Sequence, residues 1–184
     1  MLLGLGKFFK SNKNPDKKFI SNLNGLLGFK IKDTLLFKRA FTHSSTNLED
    51  KHGNVFNYER LEFLGDSILG TIISDHIYSN YSNFDEGELT KLRSKIINRE
   101  SLNKIGFSLK LNTLVKSSIK VDRSSDDING NLLEALIGAI YVEKGFKTCQ
   151  NFVTKKIINN INFNIINKSI ISFKGSLIEW SQKN

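Results

Sequence analysis

Between Asn57 and Leu69 the chain strings three carboxylates, Glu59, Glu62 and Asp66, through an otherwise apolar run. At ~100° per residue, offsets of three and seven put these acids within roughly 60° of one another on a helix. Leu61, Leu64 and Ile68 repeat the same spacing two residues later, so a second, apolar stripe of the same helix turns inward. Like charges so placed repel, and only Arg60 lies nearby to offset them. Two readings stand: a solvated acidic face on an amphipathic helix, or oxygen ligands gathered for a hard divalent cation.

Acids of this kind need helices to aim them, and helical periodicity runs through the sequence. Phe19, Ile20, Leu23, Leu26 and Leu27 predict a helix that Gly28 stops. Asp33 reads as the N-cap of a helix over 34–43, and 47–56 as a loop. The acidic helix covers 57–78. Asp85 caps a helix over 86–97, and 98–105 continues as a second helical piece closed by Gly106. A short apolar and basic helix is predicted over 112–120, a polar loop over 121–127, a long helix over 130–141 broken by Gly145, and another over 147–159. The Asn- and Ile-rich stretch 160–171 reads as a helix end plus linker. Alternation of period two is nowhere convincing, so the expected class is all-α.

Bulk properties narrow the partners. With 39% hydrophobic and 24% charged residues the chain is an ordinary globular sequence. One cysteine, Cys149, excludes an internal disulfide and suits a reducing, cytoplasmic setting. His43, His52 and His76 are scattered, so no zinc-ligand spacing exists. No apolar run approaches the ~20 residues that span a bilayer, which argues against a membrane partner. A formal charge of +9, from 27 basic and 18 acidic side chains, points to an anionic partner. A basic protein that concentrates acids in one place has reason to hold metal there while the rest attracts phosphates.

The segment Asn57-Tyr58-Glu59-Arg60-Leu61-Glu62-Phe63-Leu64-Gly65-Asp66-Ser67-Ile68-Leu69 resembles the signature of the ribonuclease III family. Phe41-Thr42-His43-Ser44-Ser45 upstream, Asp85-Glu86-Gly87-Glu88-Leu89-Thr90 downstream, and the run from Leu133-Glu134 to Tyr141 resemble further family segments in the family's order. The resemblance implies the family's helical endonuclease domain, a homodimer, over 18–168. A basic flexible arm over 1–17 precedes it. Residues 169–184 resemble a linker and the start of a double-stranded RNA-binding domain that is incomplete here.

By that resemblance, Glu62, Asp66 and Glu134 match the family's catalytic metal-binding acids. Glu59 and Glu86 match accessory acids, although Glu86 also reads as an acid favoured by a helix N-terminus. Phe63 matches an aromatic at the dimer interface. Lys91, Arg93 and Lys95 are candidates for RNA-backbone contacts, and His43 reads as a structural, hydrogen-bonding histidine. The implied cofactor is Mg²⁺, with Mn²⁺ able to substitute, and no organic cofactor is called for. The implied reaction cuts double-stranded RNA to 5′-phosphate and 3′-hydroxyl ends, in maturation of ribosomal RNA precursors and RNA turnover. One position departs from the pattern: Asn131 stands where the family carries a metal-binding Asp, three residues before Glu134. Asn131 keeps a carbonyl oxygen but loses a charge worth about 4 kcal/mol at 4 Å and an effective dielectric of about 20. A variant that still cleaves, an engineered inactivation and a degenerate member that only binds RNA are the three explanations. Asp126 and Asp127 lie upstream in a Ser-rich loop that gives them no fixed geometry.

Overall fold

The computed structural model describes residues 15–119, 127–163 and 180–182. The expected arm, the polar loop over 121–127 with Asp126, and the C-terminal segment fall largely outside these residues. Of the described residues, those up to Lys32 form one compact unit and those from Asp33 onward another. In the first, α1 (Pro15–Leu27) opens on the only proline, whose fixed φ suits the first helical turn. It ends at Gly28, at φ +76°, where a side chain would be strained.

The second unit begins with α2 (Thr34–Ala40), capped as expected by Asp33, whose carboxylate accepts from the Leu36 N–H at 2.9 Å. It stops short of the expected His43. Phe41 and Thr42 are buried, and the backbone here pairs with Lys116: His43 N–H donates to Lys116 O at 2.9 Å and Lys116 N–H to Phe41 O at 2.8 Å. The same pairing removes the helix expected over 112–120, leaving only a 3₁₀ turn at Leu111–Thr113. In the following loop the Asp50 carboxylate accepts the His52 and Asn54 N–H groups at 2.9 and 3.0 Å. Those two bonds are the chief reason its carboxyl is held down at about 2.

The long acidic helix is α3 (Glu59–Asn80). A capping box of Asp85 and Glu88 starts α4 (Glu86–Ile96), and Asn98 caps α5 (Arg99–Ser108). α5 runs through Gly106, the expected stop. Gly106 serves packing instead, since a Cβ there would lie 2.7 Å from the Asn129 carbonyl carbon. α6 (Asp127–Lys144) is longer than the predicted 130–141 and ends at Gly145, and α7 (Phe146–Lys156) follows, shorter than the predicted 147–159.

α6 is the centre of this unit. Leu132, Leu133, Ala135, Leu136, Ile137, Ala139 and Ile140 are all 0% exposed, with α2, α3, α5 and α7 packed around them. A helix apolar on every side is a core helix, and each such Leu or Ile contributes roughly 1.5–3 kcal/mol. Among the described residues only isolated β-bridges occur, so the all-α expectation holds. No described helix is long and apolar enough to cross a membrane.

Candidate active site

The site is built where α3 and α6 cross backbone to backbone. A Cβ on Gly65 would lie 2.6 Å from the Glu134 carbonyl carbon, closer still to its oxygen, and 2.9 Å from Gly138 N. A Cβ on Gly138 would lie 3.0 Å from the Leu61 carbonyl carbon. No side chain fits between the helices at this point. Glu62 stands one turn before Gly65 and Asp66 directly after it, and the Glu134 backbone lies at the contact on α6, so the charges of both acids act on the Glu134 carboxyl.

Electrostatics register the convergence. Burial pushes the Glu134 carboxyl up, and the neighbouring Asp66 and Glu62 push it further, to about 7. Glu62 is raised by burial first, then by Glu59, with Arg99 working against the rise and Asp66 adding to it. A carboxylate lodged in a core helix beside two others is costly unless something offsets the charge. Asn131 precedes Glu134 by three residues, on the same helical face. It lies near Tyr58, whose phenolic proton is held more tightly, chiefly by burial.

Supports reach the site from outside α3 and α6. The buried Asn103 of α5 accepts the Gly130 N–H at 2.6 Å, satisfying one of the donors left open at the start of α6. Tyr58, 5% exposed, donates its backbone N–H to Thr42 O at 3.0 Å and meets the His43 ring edge-on at 5.8 Å. His43 Nδ1 accepts the Ser45 N–H at 3.0 Å, the structural role expected for it.

The remaining candidates fall in different places. Glu59 is exposed and joins the group through its charge on Glu62. Glu86 is exposed in the first turn of α4, its Oε1 accepting the Thr90 hydroxyl at 3.0 Å. Lys91 is exposed and Lys95 half-buried, one turn apart, whereas Arg93 Nη1 reaches the Ser74 hydroxyl of α3 at 3.3 Å. Phe63 is 78% exposed, so it is no core residue of this chain. Further along α3 a shallow groove of about 640 Å³ is lined by Ser67, Gly70, Thr71, Ser74, Tyr78 and Arg93, among others. Tyr58, Arg99 and Asn103 are the participants that sequence reasoning missed. Only Tyr58 carried a signal, its place inside the acidic motif.

The donor set suits a hard divalent cation in type and charge: three carboxylates and an amide oxygen. No three His, Cys, Asp or Glu side chains among the described residues form a ready metal-holding group. These two facts are compatible. Like charges turn apart, and Mg²⁺ is commonly bound through one or two carboxylates while keeping several waters, not in an all-protein cage.

A family model described as ribonuclease-III-like matches residues 33–161. Ribonuclease 3 of Zunongwangia profunda is 45% identical over 174 residues, covering 94% of this chain and 72% of that protein. Ribonuclease 3 of Flavobacterium psychrophilum is 44% identical, covering 96% of this chain and 72% of that protein. Among solved structures, the nuclease domain of ribonuclease III from Campylobacter jejuni superposes with a TM-score of 0.69 at 33% identity, over 77% of this chain and 98% of that one. That structure is described as flexible in the region involved in dimer formation.

Proposed function

The chain belongs to the ribonuclease III family of endoribonucleases, and from that premise we propose a divalent-cation-dependent endonuclease that cuts double-stranded RNA to 5′-phosphate and 3′-hydroxyl ends. What supports this reading is the backbone-to-backbone crossing of α3 and α6 at Gly65 and Gly138, with Asp66 and Glu62 close enough for their charges, after burial, to help push Glu134 up to about 7. Glu62, Asp66, Glu134 and Asn131 would hold Mg²⁺, or Mn²⁺ in its place, which supplies positive charge at the scissile phosphate and makes water easier to ionise. The chain's own part is to fix those oxygens on two helices packed backbone against backbone, and to set Arg99 near Glu62 as a partial counter-charge. Lys91 and Lys95 supply positive charge for phosphates and 2′-hydroxyls across the duplex grooves.

Two antiparallel strands need two cuts related by a two-fold axis, and an isologous dimer provides them. In the proposed dimer Phe63, exposed on α3, is the side chain that would seat on the partner, and the shallow groove further along the same helix is a surface that could receive it. Cytoplasmic maturation of ribosomal RNA precursors and RNA turnover is the proposed setting.

The test is incubation of the purified chain with long duplex RNA in Mg²⁺ and in Mn²⁺. Cleavage by the parent that Glu134→Gln abolishes supports the enzyme. Asn131 favours one rival, an RNA-binding relative with impaired chemistry. Duplex binding without cleavage in either metal, unrelieved by Asn131→Asp, would establish that rival instead.

A further inference from the structure

α6 meets a second helix as closely as it meets α3. At its start, a Cβ on Gly106 of α5 would lie 2.7 Å from the Asn129 carbonyl carbon and 3.1 Å from the Asn129 Cβ. A Cβ on Gly130 would lie 3.2 Å from Asn103 Oδ1 and 3.3 Å from the Leu102 Cβ. In the same contact Asn103 Oδ1 accepts the Gly130 N–H at 2.6 Å, so an acceptor on another helix does what a helix's own cap usually does. Asn103 and Asn129 are 6% and 3% exposed, and Asn129 Oδ1 has no hydrogen-bond partner among the described residues. Apolar side chains would bury here at less cost. Buried amides fix which residues face each other, because a slip along either helix breaks a bond that water does not replace.

We propose that Asn103 is a positioning residue for the cation site, setting the place of Asn131 through its bond to the neighbouring Gly130. This rests on the reading of Asn131 as one of the cation's oxygen donors. Position along α6 carries the inference. Asn131 follows Gly130 directly. Glu134 lies four residues beyond Gly130, about 6 Å further along the axis at ~1.5 Å per residue. Its backbone is held instead at the Gly65–Gly138 crossing. The two donors of α6 thus have separate anchors, α3 for Glu134 and α5 for Asn131. Their chemistry makes the second anchor matter. A carboxylate draws a cation by charge and offers either of two equivalent oxygens. A neutral amide offers one oxygen and a dipole, so its contribution depends on where its backbone puts it. Loosening the first turn of α6 therefore costs the site Asn131 before it costs Glu134.

The test measures Mn²⁺ binding calorimetrically to the full chain without RNA, at a temperature where each variant is folded by circular dichroism. Asn103→Ala should weaken binding about 10-fold, the scale for losing an outer partner of a metal ligand. With Asn131→Ala already in place no amide remains to be positioned, and the same change should cost less than about 2-fold while lowering Tm as much as before. Equal weakening in both backgrounds, or none in either, would overturn the proposal. Single variants keep the two levels apart. If Glu134→Gln leaves Mn²⁺ binding intact, the metal reading itself fails. If Glu134→Gln weakens binding and Asn131→Ala does not, the metal reading stands and only the Asn103 role fails. A measurement on the parent needs no variant to fold. The Gly130 amide should exchange slowly with solvent in ¹⁵N spectra, and exchange as fast as an exposed loop amide would sink the idea.

Discussion

Replacing Gly65 with alanine tests the crossing of α3 and α6 most directly. The added methyl would lie 2.6 Å from the Glu134 carbonyl carbon and 2.9 Å from Gly138 N, and both obstacles are backbone, which cannot rotate away. Ordinary carbon contacts need about 3.5–4 Å, so the helices must part by roughly 1 Å. Overpacking of this kind costs about 1–3 kcal/mol, and at the length of this chain each kcal/mol lowers Tm by about 2–4 °C. The same displacement moves Glu134 away from Glu62 and Asp66, and misplacement by about 1 Å is worth about 100-fold in rate. Gly65→Ala should therefore melt about 5–10 °C lower and cleave duplex RNA about 100-fold more slowly at temperatures where it remains folded. Gly25→Ala is the control: nothing lies within 4 Å of a Cβ there, and α1 should gain a few tenths to 1 kcal/mol. Calorimetry and a fixed-temperature cleavage assay read both effects. Parental cleavage by a destabilised but folded Gly65→Ala chain would refute the claim that this contact sets the acids' separation.

Three further outcomes are expected. If the proposed dimer forms through Phe63, Phe63→Arg places a charge on that exposed face and should shift the chain from dimer to monomer in sedimentation, while leaving helicity by circular dichroism unchanged. Burial and like charge raise the Glu134 carboxyl from 4.5 to about 7 and also raise Glu62, so the native state holds protons that the unfolded chain has released. In a chelator, Tm should therefore fall as pH rises between about 4.5 and 7, Glu134→Gln should flatten that fall, and stabilisation by Mg²⁺ should grow over the same window. Asn103→Ala leaves the buried Gly130 N–H without its acceptor and should cost about 1–3 kcal/mol by denaturant unfolding.

Much of the candidate site was legible because its chemistry and its helical spacing coincide in one short segment. Glu62 and Asp66 are adjacent turns of α3, and Glu134 is a charge in a run of Leu, Ile and Ala that otherwise belongs wholly to the core. The failures share a cause, since each turned on a partner distant in sequence. Gly106 looks like a helix stop until Asn129 is seen against it, and 112–120 looks helical until the Lys116 backbone is seen paired with Phe41 and His43. Lys91, Arg93 and Lys95 read alike as basic residues, yet α4 turns Arg93 onto Ser74 and leaves Lys91 to solvent. Arg99 and Asn103 gave no signal, because nothing local distinguishes an Arg or Asn that reaches another helix.

Those last two residues make α5 a lever. Its first residue, Arg99, moderates the proton affinity of Glu62 on α3, and Asn103, one turn on, grips the start of α6. A small axial shift of α5 would thus change the charge balance of one helix and the aim of the other together.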